Sequence, residues 1–153
     1  MALQYKYFDR PKDIDACLNL LSSTFVPLLK EHWDKSGKSV YDKEFSLNTE
    51  AFVTLWQSTG FVLVVAYDDN NPVGIFIGLR VVPMEFQARV LQVETCYGKT
   101  AEVEEGLYNY IKSIGPILGY DELWLNTDTN KNVSAVKGFK QVGETSVVRF
   151  VRE

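Results

Sequence analysis

The chain has 153 residues and a formal net charge of −4, with 46% hydrophobic and 13% aromatic residues. This length is enough for one domain to bury most of its apolar surface without disulfides or bound metal, so we expect a single domain over residues 1–153. Lys and Arg are scattered along the sequence. Nucleic-acid binders concentrate such residues on one face, so this class is excluded.

Cysteine and histidine are scarce, which limits the chemistry open to the chain. Cys17, Cys96 and His32 are too few for a disulfide framework or a metal cage. The N-terminus lacks the basic start and apolar run of a signal peptide, and no stretch approaches the roughly 20 apolar residues of a membrane span. We therefore expect a soluble, cytoplasmic protein with no metal and no membrane association.

The first third of the chain predicts one strand followed by helices. A strand is predicted over "LQYKYFD", and Pro11 occupies the first position of a helix. A second helix starts near Phe25 and ends near Gly37, and a polar loop follows it. Asn48 caps a third, short helix that stops at Gly60. The first two helices carry apolar faces, formed by Ile14, Cys17, Leu18 and Leu21, and by Phe25, Leu28, Leu29, His32 and Trp33.

The remainder of the chain changes to the period of strands. Three strands are predicted over "FVLVVAY", "VGIFIGLRVV" and "ARVLQVETC", the first two joined as a hairpin by the turn "DDNNP". The turn Gly98-Lys99-Thr100 then leads into a helix whose apolar face is Val103, Leu107, Ile111 and Ile114. A strand "ELWLNTD", a short helix "NKNVSAVK" and a hairpin over 138–153 close the chain.

This order of elements predicts an α/β (α+β) fold. The hairpins require antiparallel neighbours, whereas strand, helix and strand around Gly98 require a right-handed parallel crossover. We therefore expect a mixed, mostly antiparallel sheet with helices on both faces and a central βαβ unit. Trp33, Trp56 and Trp124 occupy positions expected of the core.

The order of elements and three segments resemble the GCN5-related N-acetyltransferase (GNAT) superfamily. The segments are "NNPVGIFIGLRVVP", "LGYDELWLNTD" and "KGFKQVG". The segments "PLLKEHWDK" and "TGFVLVVAYDDNNPVG" are similar to GNAT-like proteins of bacteriophages. The resemblance implies that the strand Ala88–Cys96 binds the pantetheine arm of acetyl-CoA, that the following turn holds its pyrophosphate, and that a late tyrosine protonates the leaving thiolate.

The turn departs from the pattern of the family, which reads Arg/Gln-x-x-Gly-x-Gly/Ala. Gly98 is the only glycine here, and no arginine or glutamine stands in place. Glu102, Glu104 and Glu105 are expected to crowd the first turn of the helix. Carboxylates there stabilise the helix by about 0.3–1 kcal/mol through its macrodipole, and they compete with phosphate for the same positive potential. We therefore expect that the protein itself caps this turn.

The second departure concerns the general acid. Ser134 stands at the position that the family fills with a tyrosine, and no tyrosine occurs from Asp121 to Glu153. A serine hydroxyl is too weakly acidic to replace a phenol with a pKa near 10.

Four other features have a catalytic and a structural interpretation. Glu94 is a candidate general base or a strand residue facing solvent. Cys96 lacks a neighbouring base, so we expect an inert buried thiol. His32 lies on an apolar helix face, which favours a packed histidine. Gly98-Lys99-Thr100 looks like the end of a P-loop, but Val93 replaces the required glycine, so we discard that interpretation.

Two functions remain open. In the first, which we favour, the chain has the GNAT fold without acetyl transfer and without a cofactor. It is expected to act by binding a protein partner or itself, as a phage virion part or a binder of a host protein. In the second it is an acetyl-CoA-dependent N-acetyltransferase in which Glu94 takes the proton. The cofactor would then be held by Thr95, Cys96, Tyr97, Gly98, Lys99, Thr100 and Ala101.

Overall fold

A computed structural model describes residues 2–11, 13–37 and 44–125 of the chain. The short helix predicted over 130–137, the closing hairpin over 138–153, Ser134 and the end of the last predicted strand lie outside these ranges. The described strands are β1 (Leu3–Tyr7), β2 (Phe61–Asp68), β3 (Asn71–Val81), β4 (Val90–Gly98) and β5 (Glu122–Leu125). The helices are α1 (Ile14–Leu20), α2 (Val26–His32), α3 (Thr49–Gln57) and α4 (Ala101–Ile114).

The strands form one mixed sheet in the order β1-β2-β3-β4-β5. Neighbours pair antiparallel from β1 to β4, and β5 pairs parallel with β4 after the crossover through α4. The hairpin between β2 and β3 turns at Asp69 and Asn70, whose positive φ values of 48° and 69° are tolerated by these short polar residues. The mixed, mostly antiparallel sheet with a parallel βαβ unit is confirmed.

Residues 14–37 form one continuous helical segment, whereas the sequence predicted two helices. Two π-helical turns, Leu21–Phe25 and Trp33–Gly37, follow α1 and α2 without a break in the chain path. The start at Pro11 was wrong, because the Asp13 side chain caps the helix by accepting the Ala16 N–H at 2.7 Å. Asn48 caps α3 as predicted, through the Ala51 N–H at 3.1 Å.

The sheet has an apolar core on each face, as its two-sided burial in β2 requires. Helices α1, α2 and α3 cover one face, where Phe25 lies in edge-to-face contact with Phe8 and Trp56. Helix α4 covers the other face through Val103, Leu107, Tyr108 and Ile111. Of the predicted core tryptophans only Trp56 is fully buried, whereas Trp33 and Trp124 are half-buried. Leu18 is exposed, because its side chain falls outside the buried stripe of α1.

Candidate functional site

A β-bulge interrupts β4 at Glu94. Ile77 of β3 faces Thr95 and the next residue, Gly78, faces Val93, so Glu94 is an extra residue without a partner on β3. Glu94 is exposed, as both sequence interpretations of this residue allow. Bulges redirect neighbouring side chains and end regular pairing, and they are frequent next to active sites.

Gly98 ends β4 at the point where α4 packs back onto the strand. A Cβ at this position would lie 2.5 Å from the Glu104 backbone nitrogen and 2.9 Å from the Thr100 carbonyl oxygen. Real side chains do not tolerate these distances. The single glycine of the turn is therefore explained by close packing of the strand against the start of the helix, with or without a ligand.

The backbone N–H groups of the turn are partly used by the protein. The Lys99 N–H donates to the Val73 carbonyl at 2.9 Å, and the Val103 N–H donates to the Thr100 hydroxyl at 3.3 Å. Within the described ranges, no hydrogen bond joins the backbone N–H groups of Thr100, Ala101 or Glu102 to another residue. Thr100 thus caps α4, and three N–H groups at the start of α4 stay available to an acceptor.

Acidic side chains surround the start of α4. Glu102 and Glu104 lie in its first turn, whereas Glu105 lies one residue beyond it, which corrects the expectation of three glutamates in that turn. The two carboxylates act on different neighbours. Burial, and to a smaller extent the charge of Glu102, raises the pKa of Tyr5 on β1. Burial, and to a smaller extent the charge of Glu104, raises the pKa of Cys96. Both carboxylates oppose the approach of an anion to the helix end.

A polar cluster joins α2 to the end of β4 beside this turn. It comprises Glu31, Lys35, Tyr97 and Lys99, and we call it the Glu31 cluster. The Tyr97 hydroxyl donates to Glu31 Oε1 at 2.6 Å, and Lys35 Nζ donates to the same oxygen at 3.2 Å. Lys35 Nζ also lies 2.9 Å from the Tyr97 hydroxyl oxygen. Lys99 Nζ stands 4.0 Å from Glu31 Oε2, so both carboxylate oxygens face a lysine.

The contacts of the Glu31 cluster fix its protonation. The hydrogen bond from Tyr97, assisted by Lys35 and Lys99, lowers the pKa of Glu31, so this carboxylate is ionised at neutral pH. Burial and the Glu31 charge raise the pKa of Tyr97, which keeps its phenol protonated. The hydrogen bond to Tyr97 and the contact with Glu31 raise the pKa of Lys35, which stays cationic. The cluster is therefore an ionised carboxylate between two cations.

The other two candidates, Cys96 and His32, are packed within the fold. Cys96 is fully buried against α4, and burial raises the pKa of its thiol well above the usual value. These surroundings support the prediction of an inert thiol. His32 is half-buried with its ring centroid 5.6 Å from that of Tyr97, and burial lowers its pKa. A packed histidine agrees with the prediction.

The residues predicted to hold a cofactor thus form a continuous run, the end of β4 and the turn after it. Glu94 and Lys99 are exposed, whereas Cys96 and Tyr97 are buried. Sequence reasoning missed Glu31 and Lys35, which the helical segment over residues 14–37 brings to the turn from more than 60 residues away in the chain. The spacing of Glu31 and Lys35, one helical turn apart, was the only signal of a local pair.

Two negative findings concern the described residues. These residues contain no group of three or more His, Cys, Asp or Glu side chains placed to hold a metal ion. Their helices are too short or too polar for any one of them to cross a membrane.

Among known proteins, solved structures are similar to this chain. No protein-family model and no curated protein matches the sequence. A ribosomal-protein-alanine N-acetyltransferase from Brucella melitensis biovar Abortus 2308 is 18% identical, with a TM-score of 0.67 over 98% of this chain and 100% of that one. A GNAT family acetyltransferase from Staphylococcus aureus has 12% identity and a TM-score of 0.65 over 98% of this chain and 100% of that one.

A third similar structure was solved with a ligand. It is the aminoglycoside N-acetyltransferase AAC(6')-Iy in complex with the bisubstrate analogue CoA-S-monomethyl-acetylneamine. It is 17% identical, with a TM-score of 0.58 over 100% of this chain and 99% of that one. Likeness at such identity concerns the fold, and the match covers at least 98% of the chain in all three cases. The chain therefore has the fold of the GNAT acetyltransferases.

Proposed function

We propose that this chain uses the GNAT fold without acetyl transfer and acts by binding a protein partner or a second copy of itself. The observation that carries the proposal is the charge balance at the turn after β4. Two lysines, Lys35 and Lys99, face one carboxylate, Glu31, which is joined to both. Glu102 and Glu104 add two further negative charges at the start of α4.

This balance of charges disfavours the binding of a diphosphate. Two cations against three carboxylates leave the surroundings of the turn with a net negative charge, whereas phosphate sites concentrate positive potential. The three available N–H groups of the turn can contribute to binding, but each glutamate charge within the first turn works against them. We therefore expect acetyl-CoA to bind in the millimolar range or more weakly.

A surface at the opposite end of β4 supports an interaction role. The β3–β4 and α4–β5 loops meet there, because the Arg89 N–H donates to the Asp121 carboxylate at 2.9 Å and the Asp121 N–H donates to the Arg89 carbonyl at 2.7 Å. Apolar side chains of both loops are exposed, up to 92% for Met84 and 83% for Ile117. The others are Val82, Phe86 and Leu118. Contiguous exposed apolar patches are typical of interaction surfaces, and these two adjoining loops are the candidate for one.

Isothermal titration calorimetry with acetyl-CoA tests the first half of the proposal. At tens of micromolar protein we expect no measurable heat of binding. A dissociation constant near 1 µM corresponds to about 8 kcal/mol of binding free energy and would refute the proposal.

A pair of variants, Met84→Glu and Ile117→Glu, tests the interaction surface by analytical ultracentrifugation of the protein alone and with candidate partners. That such a partner belongs to a phage particle or its host stays a prediction.

The second candidate function is acetyl-CoA-dependent N-acetyl transfer, and the bulge at Glu94 favours it. An exposed carboxylate at a bulge of β4 can accept a proton from an amine held beside it. Holding the amine in position against the thioester supplies much of the rate of such transfers, so the absence of a late tyrosine does not rule out this function.

A thiol-release assay separates the two functions. Free CoA is measured with acetyl-CoA and two kinds of acceptor, an aminoglycoside and a peptide with N-terminal alanine, since the similar structures include enzymes named for such substrates. The first function predicts release at the rate of spontaneous hydrolysis. The second predicts release that depends on acceptor and is abolished by Glu94→Gln but retained by Glu85→Gln.

A further inference from the structure

The Glu31 carboxylate holds two lysines at the turn in the manner of a bound anion. Its Oε1 accepts hydrogen bonds from the Tyr97 hydroxyl and Lys35 Nζ, and its Oε2 faces Lys99 Nζ. Two oxygens of one phosphate could make the same contacts, because both groups present acceptor-only oxygens to cations. Lys35 and Lys99 come from opposite sides, one from the helical segment after α2 and one from the turn itself.

The ion pairs of Glu31 with the two lysines lie at the surface and are weak. The side chains of Lys35, Lys99 and Glu31 are 58%, 48% and 34% exposed. Exposed ion pairs contribute little to stability and weaken with salt, so either lysine can leave Glu31 for a stronger acceptor. The bond from Tyr97 is different, because its donor is buried and the distance is short. Glu31 is therefore fixed in place, and its cations are exchangeable.

We propose that Glu31 is an intramolecular competitor of polyphosphate for Lys35 and Lys99, an autoinhibitory contact that lowers the affinity of this lysine pair for anions. The inference deepens the proposed function, on which it rests, by naming the residue that makes the turn a poor polyanion site. The ligand class is polyphosphate, whether inorganic or the diphosphate of a nucleotide. Removing the Glu31 charge frees both cations and adds one net positive charge.

The test compares Glu31→Gln with a matched control, Glu85→Gln. The glutamine keeps an oxygen that can accept from Tyr97, so the fold is retained. Glu85 is exposed in the loop before β4, at the opposite end of that strand, and its substitution changes the net charge equally. Affinity for inorganic tripolyphosphate is measured by calorimetry at low ionic strength, with circular dichroism confirming that each variant is folded.

The proposal predicts that Glu31→Gln binds tripolyphosphate about three- to fivefold more tightly than Glu85→Gln, with the gain shrinking at about 0.5 M salt. The double variant Glu31→Gln/Lys99→Gln should lose most of that gain. Equal affinities of Glu31→Gln and Glu85→Gln would overturn it, and so would a gain that survives in the double variant. This contrast between variants does not depend on whether the wild type binds acetyl-CoA, so its failure is distinguishable from failure of the proposed function.

Discussion

The Tyr97 hydroxyl donates to the Glu31 carboxylate at 2.6 Å and so ties the end of β4 to α2. The Tyr97 phenol is buried, whereas the Glu31 carboxylate is partly exposed. Because the bond fixes Glu31 beside Lys35 and Lys99, it determines the charge at the turn as well as the docking of the helix.

Removing the Tyr97 hydroxyl is expected to destabilise the protein. Tyr97→Phe should lower the free energy of unfolding by about 1–2 kcal/mol, since a hydrogen bond to a charged acceptor is lost while Glu31 keeps its contact with water. Urea denaturation measures the change. Tyr67→Phe is the control, because the Tyr67 hydroxyl forms no hydrogen bond with another residue in the described ranges, and its loss should cost less than about 0.5 kcal/mol. Equal costs for the two variants would show that the bond to Glu31 contributes nothing.

Gly98 is expected to resist substitution for steric reasons. Gly98→Ala places a Cβ 2.5 Å from the Glu104 backbone nitrogen, so the start of α4 must move, and we expect a loss of about 1–3 kcal/mol. Gly115→Ala is the control. Gly115 has a helical φ of −52° and its nearest neighbour, the Ile111 carbonyl oxygen, would lie 3.0 Å from the new Cβ. That variant should lose less stability than Gly98→Ala, because its nearest new contact is 3.0 Å and not 2.5 Å. A Gly98→Ala protein as stable as the Gly115→Ala protein would contradict the packing account.

His32 is expected to make stability depend on pH near neutrality. Burial lowers its folded-state pKa below the usual value near 6.5, so the folded protein favours the uncharged ring. The contribution is present above about pH 6.5 and is lost as the pH falls through the lowered folded-state pKa. His32 is the one histidine of the sequence, so its ring resonances in an NMR titration need no assignment. A measured pKa at or above 6.5 would contradict the burial argument.

Both cysteines are expected to be unreactive in the native protein. Cys17 and Cys96 are fully buried, and burial raises the pKa of each thiol. Labelling with a thiol reagent at pH 8 should be slow until denaturant is added, because the thiolate is both rare and inaccessible. Rapid modification of one thiol per chain under native conditions would show that one of these sites opens to solvent.

The elements of the fold could be predicted from sequence because they follow local patterns. The continuous apolar run of β2 and the Asn48 cap of α3 both depend on neighbours within a few residues. The boundaries that were wrong, the start at Pro11 and the break near Phe25, depend on a competing cap at Asp13 and on π-helical turns that no residue pattern marks.

The site could be predicted only in part, because its charges come from distant parts of the chain. The turn after β4 is visible as a glycine between a strand and a helix, but the reason for Gly98 is its distance to the Glu104 backbone. The contact of Glu31 with Tyr97 joins residues 66 apart in sequence. Likewise, the extra residue at Glu94 follows from the register with β3, which a single strand cannot show.

The most direct test of the central claim is an NMR titration of the isotopically labelled wild-type chain with acetyl-CoA, following the backbone amides of Thr100, Ala101 and Glu102. If acidic side chains keep a diphosphate away from the start of α4, these resonances should show no saturable shift at ligand concentrations below about 1 mM. Saturation of these three resonances at micromolar ligand would show that the diphosphate is seated on the turn, and the account of a fold without acetyl transfer would be wrong.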